Sequence, residues 1–296
     1  MADPRRSSVR LSVHDFGGRG PDLLLIHGLA STRHIFDLVA PMLAEEFRIV
    51  AYDQRGHGES AKPSSHYGFD YVAGDAARVI RDLELDRPIV LGHSWGANVV
   101  LELGVREPSL VSGLILLDGG FGSIRARMDW QTTKQTLAPP SIAGTQAEDF
   151  RRMLRQFLSA DMEVTPEIEA ITMSLMRVGR DGSIRPRLTL ANHLRVLRAL
   201  WEQDAIALLR RVKVPTWVVA TRPATVDAAG KAFLAVKEGA ERQVRDIGGN
   251  VRFEWIDGIH DVPLQHPDAV ADLIRRFSGQ LLDRAASSEP LQKSSN

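Results

Sequence analysis

Short apolar segments alternate with amphipathic segments along most of this chain. Continuous apolar runs, such as residues 23–27 and 114–117, are typical of parallel strands that are covered on both faces. Between them, segments such as 70–83 place apolar residues three and four positions apart, which predicts helices. The alternation predicts an α/β fold in which helices flank a mostly parallel sheet. The predicted strands are residues 9–16, 23–27, 48–52, 88–91, 114–117, 214–220 and 252–256, and the predicted helices of this core are residues 34–44, 70–83, 95–107, 228–238 and 267–277.

The alternation is interrupted between residues 122 and 211, where the pattern is helical and shows no convincing strand. We interpret this segment as a helical cap, or lid, that is inserted into an α/β core formed by residues 1–121 and 212–283. The C-terminal segment 284–296 is polar, and we expect it to be disordered.

The sequence Gly-His-Ser-Trp-Gly at residues 92–96 joins a predicted strand to a predicted helix. The G-x-S-x-G pattern in this context is typical of a nucleophile elbow, a sharp turn that displays a serine hydroxyl above the sheet. Glycine at positions 92 and 96 allows neighbouring backbone to approach closely. Ser94 is therefore the candidate nucleophile.

A serine hydroxyl needs a base to become an effective nucleophile. His260 lies between the predicted strand at 252–256 and the last predicted helix. The carboxyl ends of parallel strands lie together at one edge of a sheet, so His260 and Ser94 can meet there although they are far apart in sequence. His260 is therefore the candidate base.

Attack on a carbonyl also needs hydrogen-bond donors for the developing negative charge. The backbone N–H of Trp95, directly after the candidate nucleophile, is one expected donor. The second is the N–H of Leu29, which follows the apolar strand at 23–27, with Gly28 allowing the turn. His27 is expected to brace this loop rather than to react.

Four motifs together resemble the α/β-hydrolase fold family in their order and spacing: HGLAS at residues 27–31, DQRGHGES at 53–60, GHSWGA at 92–97 and GIHDVP at 258–263. The resemblance extends over about residues 9–120 and 212–280. It implies an eight-stranded, mostly parallel sheet and a catalytic triad of serine, acid and histidine. Ser94 argues against the family's epoxide hydrolases and haloalkane dehalogenases, which usually use an aspartate nucleophile.

The resemblance also implies that the triad acid follows the strand at 214–220, but Arg222 and Pro223 occupy the expected position. Asp227 comes later and suits the N-cap of the next helix, where aspartate is favoured. Asp118 ends the strand at 114–117, and some family members carry their acid after this strand. We expect Asp118 to orient His260, with Asp227 as the alternative.

Composition argues against several other classes of function. The chain is 44% hydrophobic and 25% charged, and Lys plus Arg and Asp plus Glu both total 37, so neither a nucleic acid nor an anionic membrane is an expected partner. The lack of cysteine excludes disulfides and thiol nucleophiles. Motifs for a metal or cofactor, a membrane span and a signal peptide are not found. We expect a cytoplasmic protein without a cofactor, and its oligomeric state stays open.

These features predict a serine hydrolase that cleaves a carboxylic ester, lactone or thioester of a small, largely apolar substrate through an acyl-enzyme. The candidates for contact with substrate are His27, Gly28 and, in the cap, His193. Two alternatives stay open. One is a lyase or cofactor-independent oxygenase that uses His260 as a base, and the other is a binding protein that has kept the fold.

Overall fold

The computed structural model describes residues 9–142 and 144–288, and within this part nine strands are present. They are β1 (Ser12–Gly17), β2 (Asp22–Ile26), β3 (Arg48–Asp53), β4 (Ile89–His93), β5 (Gly113–Leu117), β6 (Met176–Val178), β7 (Ile184–Pro186), β8 (Thr216–Arg222) and β9 (Val251–Asp257). Seven of them form one sheet in the order β1-β3-β2-β4-β5-β8-β9. Strand β1 runs antiparallel to β3, and the other strands of this sheet are parallel.

The predicted α/β class and mostly parallel sheet are confirmed, but the described residues form a sheet of seven strands rather than eight. Strand β1 forms one edge of this sheet, where it pairs with β3, and β9 forms the other edge.

Eleven α-helices belong to the described part of the chain. They are α1 (Ala40–Leu43), α2 (Phe69–Asp82), α3 (Trp95–Arg106), α4 (Trp130–Leu137), α5 (Ala147–Leu158), α6 (Pro166–Met173), α7 (Leu190–Glu202), α8 (Ala205–Leu209), α9 (Ala228–Ile247), α10 (Val262–Gln265) and α11 (Pro267–Ser288). The helix predicted at 34–44 is instead a 3₁₀ turn, Arg33–Phe36, followed by the short α1. Pro41 lies in the first turn of α1, where its missing N–H costs nothing, and it therefore starts a new helix there.

Two hydrophobic layers cover the two faces of the sheet. Side chains of β2 alternate between them, with Leu24 and Ile26 in one layer and Leu23 and Leu25 in the other. Helices α2, α3, α8 and α9 contribute to the first layer, and α1 and α11 contribute to the second. All five residues of β2 are buried, as are all five of β5, which explains the continuous apolar runs at residues 23–26 and 114–117 within them.

The segment between β5 and β8 contains helices α4 to α8 and a small antiparallel sheet of β6 and β7. The prediction of a purely helical segment at 122–211 is therefore wrong in one respect. Each strand of this small sheet has only three residues, too few to show a period of two in the sequence. Helix α8 lies within the range predicted for the cap, but its residues Ala205, Ile206 and Leu209 pack in the first hydrophobic layer of the core.

Helix α11 continues to Ser288, so residues 284–288 are helical and the prediction that disorder begins at 284 is wrong. Leu281 packs against the second hydrophobic layer, which extends the helix beyond the predicted end at residue 277. The rest of the predicted disordered tail, residues 289–296, lies outside the described residues. In the described part of the chain, the long helices are too polar to cross a bilayer.

Candidate active site

Ser94 lies on a sharp turn between β4 and α3. Its backbone has φ 57° and ψ −124°, a conformation that a residue with a side chain adopts only at an energetic cost. The surrounding glycines make this turn possible, because a Cβ on Gly92 would overlap the backbone of Gly96, and a Cβ on Gly96 would overlap the carbonyl of Ile26. The turn is further held by the Ser94 N–H, which donates to the Leu117 carbonyl at 2.8 Å. The sharp turn predicted from the sequence is therefore present.

His260 lies in the loop after β9, and its ring contacts Ser94. The distance between His260 Nε2 and Ser94 Oγ is 2.9 Å, which is a hydrogen bond. On its other side, the Nδ1–H of His260 donates to Asp118 Oδ2 at 2.6 Å. Because the carboxylate can only accept, the proton is assigned to Nδ1, and Nε2 is left to accept from the serine hydroxyl.

Asp118 reaches this site because β4 and β5 are in register. His93 pairs with Leu117, so Ser94 and Asp118 leave the sheet at the same level on neighbouring strands. Asp118 has φ 47° and is 4% exposed. Burial raises the pKa of this carboxyl, but the hydrogen bonds and charges of His260 and Lys237 outweigh it and hold the pKa well below its usual range. Asp118 is therefore ionised beside His260.

Asp227, the alternative acid, lies elsewhere in the fold. It is the N-cap of α9, and its Oδ1 accepts a hydrogen bond from the Gly230 N–H at 2.7 Å. This is the capping role that its position in the sequence suggested. Of the two candidate acids, the structure places Asp118, and not Asp227, against His260.

His93 supports the loop that carries His260. Its Nε2–H donates to the carbonyl oxygen of His260 at 2.7 Å, and the two rings lie 4.9 Å apart between centroids. Burial, followed by the neighbouring His260, lowers the pKa of His93 to about 4. His93 is thus neutral near pH 7 and holds the candidate base by a hydrogen bond to its backbone.

The loop after β2 carries Leu29 and faces Ser94. A Cβ on Gly28 would lie 2.9 Å from the Cβ of Ser94, so a glycine is needed for this close approach. Within the described part of the chain, the N–H groups of Leu29 and Trp95 have no backbone or side-chain acceptor. Two free donors beside a serine hydroxyl are what a developing oxyanion requires.

Two buried histidines hold the Leu29 loop in place. His57 accepts from the Ala30 N–H at 3.3 Å through Nε2, and its Nδ1–H donates to the Arg55 carbonyl at 3.0 Å. His27 accepts from the Gln54 N–H at 3.0 Å through Nε2, and its Nδ1–H donates to the Gly28 carbonyl at 2.8 Å. Burial lowers the pKa of both histidines, which keeps them neutral and suited to accept these bonds.

The three residues proposed to contact substrate are not equivalent in the structure. Gly28 lines the cavity beside Ser94. His27 is fully buried below the loop, and its hydrogen bonds brace the backbone instead of facing the cavity. His193 is buried in α7, where its Nε2–H donates to the Leu137 carbonyl at 3.2 Å, outside the cavity. Sequence reasoning could not separate these cases, because the orientation of each ring depends on its tertiary contacts.

A cavity of about 260 Å³ opens at Ser94 and His260. Core and cap segments both contribute to its largely apolar wall. The larger apolar side chains that line it are Leu29, Ile35, Leu158, Ile171, Leu175 and Leu264. Among the residues that the structure describes, no group of three or more His, Asp or Glu side chains is arranged to hold a metal ion.

We expect activity to depend on pH through His260. Burial lowers the pKa of His260, but the hydrogen bond and charge of Asp118, together with Asp261, outweigh it, so the pKa lies above its ordinary value of 6.5. A base must be unprotonated, so kcat/KM should fall as the pH decreases through a value above 6.5. The measurement is kcat/KM for a neutral ester between about pH 5 and pH 9, with folding checked by circular dichroism at each pH. A kcat/KM that stays constant down to about pH 5 would contradict this assignment.

Comparison with known proteins extends these observations. Residues 21–167 match a family model described as alpha/beta hydrolase fold. The chain is 26% identical over 274 residues to a 2-(acetamidomethylene)succinate hydrolase from Mesorhizobium japonicum. This alignment covers 86% of this chain and 92% of the relative. It is also 28% identical over 286 residues to a pimeloyl-[acyl-carrier protein] methyl ester esterase from Neisseria meningitidis, over 94% of this chain and 82% of the relative.

A solved structure has the same overall fold. The crystal structure of E-2-(acetamidomethylene)succinate hydrolase superposes with a TM-score of 0.73 and 25% identity, covering 92% of this chain and 96% of that one. The match to the family model and the nearly full-length likeness to these hydrolases agree with the sheet topology and with the turn at Ser94. We conclude that this chain belongs to the alpha/beta hydrolase fold family.

Proposed function

We propose that this hydrolase uses Ser94 as a nucleophile to cleave an ester-like bond, in a carboxylic ester, lactone or thioester, of a small and largely apolar substrate. The observation that carries the proposal is the continuous hydrogen-bonded series Ser94–His260–Asp118, with distances of 2.9 and 2.6 Å. This arrangement performs acyl transfer in proteins of unrelated folds, because its geometry alone supplies a nucleophile, a base and an orienting acid.

The reaction proceeds in two halves. In the first, Ser94 Oγ attacks the substrate carbonyl while His260 Nε2 takes the hydroxyl proton, and Asp118 stabilises the resulting imidazolium. The N–H groups of Leu29 and Trp95 donate to the oxyanion. His260 then returns the proton to the leaving group, and the acyl group stays on Ser94. In the second half, water attacks the acyl-enzyme with His260 as base, and this step releases a carboxylic acid and regenerates Ser94.

The size and lining of the cavity support a small apolar substrate. A volume of about 260 Å³ is slightly below the roughly 300–1,000 Å³ of typical ligand pockets, and the apolar side chains that line it offer mainly hydrophobic contact. The ester bond is supported by the relative named as a methyl ester esterase.

The charge around the cavity supports a neutral substrate. Asp261 is a carboxylate in the lining, and no lysine or arginine is found among the described residues that line the cavity. A carboxylate beside the reacting bond repels an anionic substrate in a partly desolvated site. The relative named as a succinate-derivative hydrolase acts on a dicarboxylate, so we propose that this chain differs from it in substrate charge.

A panel of activated esters tests this proposal. We expect kcat/KM for p-nitrophenyl butyrate to be at least about 10-fold higher than kcat/KM for p-nitrophenyl hemisuccinate. The reason is that the carboxylate of the hemisuccinate is repelled by the negative charge of Asp261. Initial rates of nitrophenolate release, corrected for spontaneous hydrolysis, give both values. Absence of hydrolysis across the panel would contradict the proposed reaction.

The control for the charge effect is Asp261→Asn. This variant keeps the shape of the side chain and removes its charge, so the ratio between the two esters should approach one. The comparison is made on the alkaline plateau of the pH profile, because Asp261 also raises the pKa of His260. A hemisuccinate that is hydrolysed as fast as the butyrate in the wild type would refute the preference for neutral substrates.

A further inference from the structure

Lys237 is a buried lysine on α9 that points toward the candidate active site. It is 3% exposed and shares the inner face of the helix with Ala240 and Val244, which are also buried. An ammonium group at a core-facing position is costly to desolvate unless charged or polar partners surround it. Its partners therefore explain why a lysine occupies this position.

The ammonium group of Lys237 has three donors and three close acceptors. It donates to Asp118 Oδ1 at 2.7 Å, to Thr221 Oγ1 at 2.7 Å and to the Thr221 carbonyl at 2.9 Å. All of its hydrogen-bonding capacity is thus used in one arrangement. Thr221 belongs to β8, the strand next to β5 that Asp118 follows, so the lysine bridges two neighbouring strand ends.

The two oxygens of Asp118 have different partners. Oδ1 accepts from Lys237 and from the Thr221 N–H, the latter at 2.9 Å, whereas Oδ2 accepts from His260 at 2.6 Å. Two donors on one oxygen fix the plane of the carboxylate and leave the other oxygen directed at the histidine. Without Lys237, Oδ1 would keep a single backbone donor in a site with no access to solvent.

We propose that Lys237 is a positioning residue: it holds the Asp118 carboxylate so that Oδ2 faces His260, and its positive charge opposes protonation of His260. The inference deepens the proposed function, since it rests on His260 acting as the base. Lys237 acts through Asp118 and does not itself take part in the chemical steps.

Electrostatics support the second part of this proposal. The charged and titratable groups that face His260 are Asp118, Asp261, Lys237 and His93. Burial lowers the pKa of His260, the two carboxylates raise it, and Lys237 lowers it. Removal of the lysine charge removes one of the two influences that lower the pKa of His260, so this pKa should rise.

The test is Lys237→Met, which keeps a chain of similar length and removes the charge. We expect kcat for p-nitrophenyl butyrate on the alkaline plateau to fall by about 10- to 100-fold, with KM little changed, because Asp118 is less well oriented. We also expect the acid limb of kcat/KM to move to higher pH. The matched control is Lys231→Met on the same helix, where the lysine is exposed and both quantities should equal those of the wild type.

Thr221→Val serves as a milder second variant in case Lys237→Met does not fold. It removes the Oγ1 acceptor of Lys237 and keeps both the lysine charge and the Thr221 N–H bond to Asp118. We expect a smaller decrease of plateau kcat in this variant, with the acid limb close to that of the wild type. An unchanged plateau kcat in Thr221→Val would contradict the positioning role.

A second readout does not depend on catalysis. The C2–H proton resonance of His260, assigned by its loss in His260→Gln, reports the protonation of the ring directly. A midpoint shifted to higher pH in Lys237→Met supports the inference even if the proposed ester hydrolysis fails. An unchanged midpoint and an unchanged plateau kcat, with only the melting temperature lowered, would show that Lys237 is a packing residue and overturn the inference.

Discussion

Replacing Ser94 with alanine is expected to lower kcat for p-nitrophenyl butyrate by about 10⁵- to 10⁶-fold, the size of effect that loss of a triad nucleophile produces. The reason is the position of the hydroxyl, which lies 2.9 Å from His260 Nε2 on a turn that holds it above the sheet. Alanine has no atom that can form the acyl-enzyme, and the remaining donors of the site can only assist direct attack by water.

The measurement has three parts. Stopped assays give kcat, a fluorophosphonate probe reports nucleophile labelling, and mass spectrometry of acid-quenched enzyme detects an acyl group on the peptide that contains Ser94. The matched control is Ser112→Ala, which removes a serine hydroxyl just before the start of β5, at the end of this strand that lies away from Asp118. Turnover in Ser94→Ala within 100-fold of wild type would exclude the serine mechanism. Turnover without an acyl adduct in the wild type would favour a lyase or oxygenase with His260 as base.

Replacing Asp118 with asparagine is expected to lower kcat by about 10⁴-fold, because an amide facing His260 Nδ1 favours the wrong tautomer. The same substitution at Asp227 should leave kcat close to wild type, since Asp227 caps α9 and asparagine caps a helix equally well. The two variants remove the same charge from the chain, so any difference between them reflects position.

Steady-state kinetics of both variants, together with their melting temperatures, decide this comparison. Asp118→Asn leaves Lys237 facing an uncharged partner in a buried site, so a lowered melting temperature is expected for this variant alone. Kinetics are therefore measured well below its melting transition. A large loss of kcat in Asp227→Asn with little loss in Asp118→Asn would reverse the assignment of the acid.

Most of the core strands could be recognised in the sequence because their burial is extreme. In β2 and β5 every residue is buried, and residues 23–26 and 114–117 within them form uninterrupted apolar runs. Strands β6 and β7 could not be recognised in the same way. Each has three residues, and in each at least two are not buried, so neither a run nor an alternation exists to be read.

The sequence alone did not assign Lys237 and His57 to the candidate site, because each contacts a partner that is distant in the chain. Lys237 carries a local signal, since it occupies a core-facing position of α9 three residues before Ala240 and seven before Val244. That signal shows only that the lysine needs a partner and does not name Asp118. His57 likewise lies in a glycine-rich loop. The sequence of this loop does not predict that the Ala30 N–H donates a hydrogen bond to the His57 ring.

By itself, the sequence determined the nature of the core and the position of the sharp turn that carries Ser94. Both depend on local patterns, namely runs of apolar residues and two glycines that flank Ser94. Only the tertiary structure decided which acid meets His260 and what surrounds that acid. The deciding feature is strand register: Leu117 pairs with His93 on one side and with Val219 on the other, which places Asp118 between Ser94 and the Lys237 site. These strands are distant in sequence, so their pairing depends on how the whole core packs, and the apolar run of one strand does not identify the strand beside it.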